Sequence, residues 1–379
     1  MVPTDSDPVV GPEALRPLAD DPAWGAAMAA VPRADFVPET AWATPMDHSP
    51  GYWIDRAADP RRWAGAVYSD TTILTQVADG AVPLTPESAA TAAPSSSTTA
   101  PSLVAAFLGL LGAAPGDRVL EVGTGTGWTA ALLSARLGAA NVTSVEVDPR
   151  VAEQAAANLH RAGFAPVLRT GDGLLGDPAG APYDRVHVTC GIREVPYAWV
   201  RQTRTGGVIA LPWAPNHIAG HRLALTVEGD QAVGRLSGDA AFMMLRAQRF
   251  ALPQPVGDRR DVAARVDPGE IIGAGRGLAV ALAGLLPGVV VDGLYPGSDR
   301  LGLRDPVSGS YATAVAATES ADSEAIEIGD RRLWRELEDA YQTWRSLGRP
   351  AADRFGVAVS PDGQHLWLDT PDNRIKEYA

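Results

Sequence analysis

The stretch from Val119 to Thr129, which reads VLEVGTGTGWT, limits the possible folds of this chain more than any other segment. Apolar residues on both sides of Glu121 predict a short buried strand, and three glycines at alternate positions follow it. The alanine-rich run from Ala130 to Leu137 then predicts an amphipathic helix. Strand, glycine turn and helix open a doubly wound α/β fold, in which a nucleotide-containing ligand approaches the bare backbone of the turn.

The spacing of the glycines distinguishes between two kinds of ligand. Dinucleotide-binding turns read G-x-G-x-x-G, whereas this turn reads G-x-G-x-G, and Trp128 stands where that pattern has its last glycine. The spacing therefore argues against NAD or FAD. With Glu121 two residues before the first glycine, the stretch resembles motif I, E-x-G-x-G-x-G, of S-adenosylmethionine-dependent methyltransferases. A glycine turn alone also occurs in other strand–helix connections, so the neighbouring segments must carry the assignment.

Acidic residues close two further predicted strands. Glu146 lies at the end of the strand Val142–Val147 and 19 residues beyond Gly127, where an acid commonly binds ribose hydroxyls. Asp172 follows the predicted strand Pro166–Arg169 and can accept a hydrogen bond from an adenine amino group. A solvated acid at a strand end is the alternative for Glu146, and a simple Asp-Gly turn is the alternative for Asp172.

Composition excludes several other functions. The chain of 379 residues has a net charge of −13, which disfavours a nucleic-acid partner because phosphate backbones require a basic surface. Its single cysteine, Cys190, allows neither an intrachain disulfide nor a cysteine metal cluster, and we expect no metal. The longest apolar stretch, Leu278 to Val291, is too short and too interrupted by glycine and proline to span a membrane. Without a signal-peptide pattern at its start, the chain is expected to be cytoplasmic, and we expect a monomer.

We predict three regions. Residues 1–93 form an N-terminal cap with short strands at Gly65–Tyr68 and Ile73–Val77, and residues 94–251 form the cofactor-binding core. Residues 252–379 form an accessory α+β domain for substrate recognition. The hydroxyl-rich segment Pro94–Ser102 is interpreted as a loop or a helix cap. An aromatic stripe at helical spacing is expected to be core rather than a peptide groove; it consists of Trp334, Tyr341 and Trp344.

Several blocks, read in order from roughly Trp24 to Phe250, resemble the protein-L-isoaspartate O-methyltransferases. They are VPRADFVP, STTAPSLVAAFL, VLEVGTGTGWTAALL, GDGLLG followed by APYDRVHVTCG, and RQTRTGGVIALP. The second block is the most specific to that family. The resemblance implies a class I methyltransferase fold, Rossmann-like α/β, that uses S-adenosyl-L-methionine.

The resemblance also assigns roles to individual residues. Thr99 falls where the family has its active-site serine, and Ser97 lies two residues earlier. The cofactor-binding residues are expected to be Glu121, Gly123, Gly125 and Gly127 at the methionine end, Glu146 at the ribose, and Asp172 and Gly173 at the adenine. Thr124, Val147 and Thr189 are also expected to bind the cofactor.

The chain departs from the family pattern in three ways. Thr99 replaces the usual serine, the cap between Trp42 and Ala93 is expanded, and residues from about 252 onward are expected to have no counterpart in the repair enzyme. These features resemble extended actinobacterial relatives associated with lanthipeptide- or graspetide-type peptides. They imply methylation of an Asp side chain in a cyclised precursor peptide, whose ester can close to an aspartimide. The alternatives are repair of isoaspartyl residues in damaged proteins and a catalytically silent cofactor-binding module.

Elementary chemistry agrees with a carboxylate acceptor. A carboxyl group with a reference pKa near ~4 is already ionised at neutral pH, so its methylation needs no general base. No His/Asp pair lies near the motifs, and His187 is expected to be a core residue. The reaction needs a positioned oxygen, and the hydroxyls of Ser97 and Thr99 can hold one by hydrogen bonds.

Overall fold

The computed structural model describes residues 11–216, 220–294, 297–316 and 324–376. The chain forms two compact units. The first comprises Met1–Cys190 with Arg201–Ala210, and the second comprises Gly191–Val200 with Leu211–Ala379. The boundaries predicted after residues 93 and 251 rest on sequence alone and stay predictions.

Ten helices are formed by the described residues. They are α1 (Pro22–Ala30), α2 (Pro60–Val67), α3 (Pro86–Thr91), α4 (Pro101–Leu111), α5 (Trp128–Leu137), α6 (Pro149–Arg161), α7 (Tyr197–Gln202), α8 (Pro268–Gly273), α9 (Arg276–Leu285) and α10 (Leu333–Ser346).

Strands are numbered in the same way over the described ranges. They are β1 (Thr40–Pro45), β2 (Tyr52–Asp55), β3 (Thr71–Val77), β4 (Pro94–Thr98), β5 (Val119–Val122), β6 (Val142–Glu146), β7 (Val167–Thr170), β8 (Tyr183–Val188), β9 (Thr203–Trp213), β10 (Gly220–Glu228), β11 (Gln231–Ala240), β12 (Arg259–Ala263), β13 (Val290–Asp292), β14 (Arg300–Arg304), β15 (Tyr311–Val315), β16 (Glu324–Ile328), β17 (Phe355–Ser360) and β18 (Gly363–Leu368).

A parallel sheet forms the centre of the first unit. Its strand order is β7-β6-β5-β8-β9, and each neighbouring pair is parallel. All four residues of β5 are buried, as expected for a central strand covered on both faces. The glycine turn follows β5 and leads into α5, which begins at Trp128. The predicted α/β class is confirmed.

An antiparallel sheet of order β2-β1-β3-β4 completes the strands of the first unit. The strand predicted near Ile73–Val77 is present as β3. The strand predicted at Gly65–Tyr68 was wrong, because that segment continues α2. Asp59 caps this helix by accepting a hydrogen bond from the Arg62 N–H, and its first residue is a proline, which suits the start of a helix.

The hydroxyl-rich segment also differs from its prediction. Residues Pro94–Thr98 are not a loop but strand β4, paired with β3. Burial alternates along it, with Ser96 and Thr98 buried and Ser97 partly exposed. Serine and threonine favour turns when isolated, but here the pairing with β3 decides the conformation.

The strands of the second unit form two antiparallel sets, of which one is a five-stranded sheet of its own. Strands β10, β11, β17 and β18 pair in that order, and β13-β14-β15-β16-β12 form the five-stranded sheet. Helix α10 buries Trp334, Tyr341 and Trp344, which are 0%, 3% and 5% exposed. The prediction that this stripe is core is confirmed.

Within the described residues, every helix is too short or too polar to cross a lipid bilayer.

Candidate cofactor and acceptor site

The glycine turn between β5 and α5 requires glycine at positions where backbone and side chains approach closely. Gly123, Gly125 and Gly127 have φ values of 97°, 54° and 91°. A Cβ atom on Gly123 would collide with the Thr189 hydroxyl, and one on Gly125 would lie 3.3 Å from the Ser97 carbonyl oxygen. The Thr189 hydroxyl donates to the Gly123 carbonyl at 2.6 Å, which fixes the start of the turn.

Glu146 connects the turn to the end of the neighbouring strand. Its carboxylate accepts the Gly125 N–H at 2.9 Å and the Asp148 N–H at 3.1 Å, and the residue is only 9% exposed. Burial raises the pKa of this carboxyl, while its two backbone donors act in the opposite direction. A carboxylate has about four lone-pair sites, so Glu146 keeps acceptor capacity for ligand hydroxyls. Val147, the next residue, is 39% exposed.

Asp172 lies beyond the end of β7 and is exposed. It accepts the Leu174 N–H at 3.0 Å through one oxygen and so caps the short 3-10 turn Gly173–Leu175. Asp172 therefore forms the Asp-Gly turn that was the alternative to ligand binding, and its second carboxylate oxygen is still available to a ligand. Because β6 and β7 are adjacent and parallel, Glu146 and Asp172 follow the same edge of the sheet.

Glu121 has a different environment from these two acids. It is fully buried, and the Ser144 hydroxyl donates to it at 2.5 Å. The Ser144 oxygen is in turn 2.6 Å from the Thr124 hydroxyl. Burial raises the pKa of Glu121 to about 8, partly opposed by the Ser144 hydrogen bond. Glu121 therefore supports the turn from beneath, through Ser144 and Thr124, as a neutral acid at pH 7.

His187 lies in the same buried layer. Its Nδ1 is 4.0 Å from the nearer Glu121 oxygen, and burial lowers the pKa of the imidazole to about 4. The histidine is thus neutral at physiological pH and 2% exposed, which confirms that it is a core residue. Ser144 was not singled out from the sequence, because no local pattern links it to Glu121, which lies 23 positions earlier in the chain.

Strand β4 brings the two predicted acceptor-site hydroxyls beside the turn. Ser97 and Thr99 are partly exposed and stand two residues apart, so along this extended segment they share a face. The alternate residues point the other way: the Thr98 hydroxyl lies 3.0 Å from the Thr126 hydroxyl, and Ser96 accepts a hydrogen bond from Thr75. The Ser97 carbonyl oxygen approaches Gly125, so this strand and the turn are neighbours.

Arg33 fixes the end of β4 and was not predicted as a site residue. It is 0% exposed and lies over the Trp128 ring at 5.2 Å. Burial lowers the pKa of its guanidinium to about 9, opposed by the Asp70 carboxylate, so it remains charged at neutral pH. The guanidinium donates to four backbone carbonyls, those of Val67 at 2.9 Å, Thr71 at 2.8 Å, Thr98 at 2.9 Å and Thr99 at 3.0 Å.

These residues suit S-adenosyl-L-methionine. The turn has no room for a Cβ atom at Gly123 and little at Gly125, so its backbone is bare there. Glu146 and Asp172 offer hydrogen-bond acceptors at one edge of the sheet. Within the part of the chain that the structure describes, no group of three or more His, Cys, Asp or Glu residues could hold a metal ion. The parallel sheet with this turn and these acids defines a class I S-adenosylmethionine-dependent methyltransferase fold.

Comparison with solved structures agrees with this class. A solved protein-L-isoaspartate O-methyltransferase matches 94% of this chain and 98% of its own, with a TM-score of 0.53 and 22% sequence identity. The predicted fold class is confirmed, and with it S-adenosyl-L-methionine as the cofactor of that class. The second unit, which has an antiparallel sheet of its own, is consistent with the added C-terminal domain that the sequence predicts.

Comparison with sequences identifies the family. The model of the family described as protein-L-isoaspartate(D-aspartate) O-methyltransferase matches residues 83–233. The protein-L-isoaspartate O-methyltransferase of Pyrococcus horikoshii is 38% identical over 149 residues, which are 39% of this chain and 67% of the relative. That of Thermotoga maritima is 41% identical over 119 residues, or 31% of this chain and 38% of the relative. The chain belongs to the protein-L-isoaspartate O-methyltransferase family.

Proposed function

We propose that this protein transfers a methyl group from S-adenosyl-L-methionine to a carboxylate oxygen of a peptide or protein. The single observation that carries the proposal is the placement of the Ser97–Thr99 segment against the glycine turn. When bound, the cofactor supplies an electrophilic methyl group on its sulfonium sulfur. The protein must then hold one acceptor oxygen in line with that methyl group and exclude competing water.

The side chains near the turn suit an acceptor that is already ionised. Ser97 and Thr99 can each donate a hydrogen bond to the carboxylate and fix its orientation without a full ion pair, which would weaken the nucleophile. The neutral, buried His187 is not placed to act as a base. Burial also raises the pKa of the Cys190 thiol, so that it does not compete as a thiolate.

An L-isoaspartyl residue is the acceptor that the comparisons support best. The matched curated relatives and the solved structure that matches 94% of this chain carry the name protein-L-isoaspartate O-methyltransferase. The matched segments span between 38% and 67% of the two relatives described above, so acceptor and partners are proposals for this chain.

The second candidate acceptor is the Asp side chain of a modified ribosomal peptide, with closure of the ester to an aspartimide. One observation favours it: strand β3, which pairs directly with β4, lies outside the matched residues 83–233. The sequence of the strand next to the acceptor hydroxyls therefore lies outside the part of the chain that the family model matches. The monomeric state and the cytoplasmic location stay predictions from the sequence.

Mass spectrometry can distinguish the two acceptors. The full-length protein and S-adenosyl-L-methionine are incubated with a linear isoaspartyl peptide, its normal Asp counterpart, and a macrocyclic Asp peptide of the same composition. Methylation of only the isoaspartyl peptide supports the first acceptor, and methylation of the macrocyclic Asp peptide supports the second. Methyl transfer to an amine or phenol, with none to any carboxylate, would contradict the proposed function.

A further inference from the structure

A cavity of about 750 Å³ lies in the first unit, on the other side of β4 from the acceptor hydroxyls. It reaches both Ser96 of that strand and Gly125 of the turn, and one face of α6 forms a wall. Among the described residues, its lining includes neither Glu146 nor Asp172. The cavity is thus separate from the strand-end acids that suit the cofactor.

The charged side chains that line this cavity have a small net positive charge in an otherwise acidic protein. Arg56, Arg150 and Arg161 line it, together with two acidic residues, in a chain whose net charge is −13. Arg56 is paired with Glu39 at 3.6 Å. Arg161 donates to the Asp35 carbonyl and to an amide oxygen rather than to a carboxylate. Within the described ranges, Arg150 has no ion pair.

The spacing of two of these arginines restricts the ligand. Arg150 and Arg161 are 11 positions apart on α6, which is close to three helical turns, so they lie on one face and about 16 Å apart along the axis. This separation is too large for one small anion to bind both. An extended peptide rises about 3.3 Å per residue and its alternate side chains share a face, so two carboxylates that both point to α6 must be an even number of residues apart. A spacing of four residues, about 13 Å, is within the reach of the two long arginine side chains.

A phosphate group suits this wall less well. Phosphate commonly binds the free backbone N–H groups at the start of a helix. Here Asp148 already accepts the N–H groups of Arg150 and Val151, at 3.0 Å and 3.3 Å. What remains available along α6 is side-chain charge at wide spacing, which suits separate carboxylates of a peptide.

We propose that this cavity binds an acidic, extended segment of the acceptor peptide, with α6 contacting two carboxylates four residues apart. The inference rests on the proposed function, because it takes the peptide as the methyl acceptor. Ser96 and Ser97 point to opposite faces of β4, but β4 is the edge strand of its sheet, so a short peptide that passes this edge can reach both the cavity and the acceptor hydroxyls. Acidic residues flanking the acceptor then determine which peptides are methylated.

The test uses three synthetic isoaspartyl peptides of equal length. One carries two glutamates four residues apart, one carries them side by side, and one has glutamine at both positions. Steady-state methylation is measured with wild-type protein, with Arg150→Gln and Arg161→Gln, and with Arg61→Gln as the matched control. Arg61 is an exposed arginine of α2 that does not line the cavity.

For the spaced-glutamate peptide, we expect KM to rise about two- to fivefold in each cavity variant, the size typical of a solvent-exposed ion pair. We expect kcat and cofactor affinity to stay unchanged, and the glutamine peptide to show the same KM with every protein. Equal KM values for the three peptides in the wild type, or equal effects of Arg150→Gln and Arg61→Gln, would overturn the inference.

Direct binding keeps this inference separate from the proposed function. Fluorescence anisotropy of the labelled spaced-glutamate peptide needs no methyl transfer. Weaker binding to Arg150→Gln than to Arg61→Gln, without methylation of any peptide, would support the cavity while contradicting the proposed reaction. Equal binding to the two variants would contradict the cavity, even if all the peptides were methylated.

Discussion

The buried Arg33 allows the sharpest test of how this site is held together. Replacing it with methionine keeps much of the side-chain volume but leaves four carbonyl oxygens without their guanidinium donor, two of them at the end of the acceptor segment. A hydrogen bond from a charged donor contributes about 1.5–3 kcal/mol. Because Nη2 has two N–H groups for three of these carbonyls, the four contacts use three N–H groups, which together contribute at least about 4.5 kcal/mol. Relief of the cost of burying the charge offsets part of this sum. We therefore expect Arg33→Met to lower the free energy of unfolding by about 3–5 kcal/mol.

Urea unfolding followed by circular dichroism measures this loss, with Arg61→Met as the control. Exposed substitutions of that kind usually change stability by less than about 0.5 kcal/mol. Arg33→Lys restores at most three donors on one point charge, so we expect an intermediate stability and a lower kcat at unchanged cofactor affinity. If Arg33→Met lowers the free energy of unfolding by less than about 1 kcal/mol, and the slope of that free energy against urea concentration is unchanged, the reasoning from these hydrogen bonds is refuted.

Three further predictions concern the turn, the buried acid and the acceptor hydroxyl. Gly123→Ala should weaken S-adenosyl-L-methionine binding by at least about tenfold in calorimetry, because it adds a clash with Thr189 to the strain of a positive φ. In Gly116→Ala, where φ is 88° and the added Cβ meets no atom within 4 Å, only the backbone strain is introduced, so this variant should bind S-adenosyl-L-methionine normally. An equal loss of cofactor affinity in the two variants would contradict the steric argument. The pKa of Glu121 is raised to about 8, so the folded protein binds a proton there more tightly than the unfolded chain does. The resulting stabilisation is complete below about pH 4.5 and is lost as the pH rises to about 8, by up to about 1.4 kcal/mol per pH unit. Glu121→Gln should therefore gain stability relative to wild type between pH 5 and pH 8 in paired urea titrations, and a constant difference would contradict the raised pKa. Thr99→Val should lower kcat at least about tenfold with unchanged cofactor affinity, while Thr99→Ser keeps most activity; full turnover by the valine variant would remove the hydroxyl from the mechanism.

The sequence was informative wherever the chemistry is local. The glycine turn, Glu146 and Asp172 follow strands whose patterns are visible within a few residues, so their positions could be predicted. Arg33 could not be predicted as a site residue, because it contacts carbonyls 34 to 66 positions away. The same reason applies to Ser144 beneath the turn. In the cap, the strand expected at Gly65–Tyr68 is part of α2, because the helix is fixed by its capping aspartate and by burial against its own sheet.

The four hydroxyl residues from Ser96 to Thr99 have a consequence for how variants of this protein should be interpreted. Their side chains are chemically alike, so hydrophobicity does not define which of them face the turn. The orientation of each residue is set instead by the pairing of β4 with β3 and by the hydrogen bonds from Arg33 to the Thr98 and Thr99 carbonyls. Inserting or deleting a single residue here would present a nearly identical surface while exchanging inward and outward hydroxyls. Natural or engineered changes in this segment are therefore better judged by their length than by their composition.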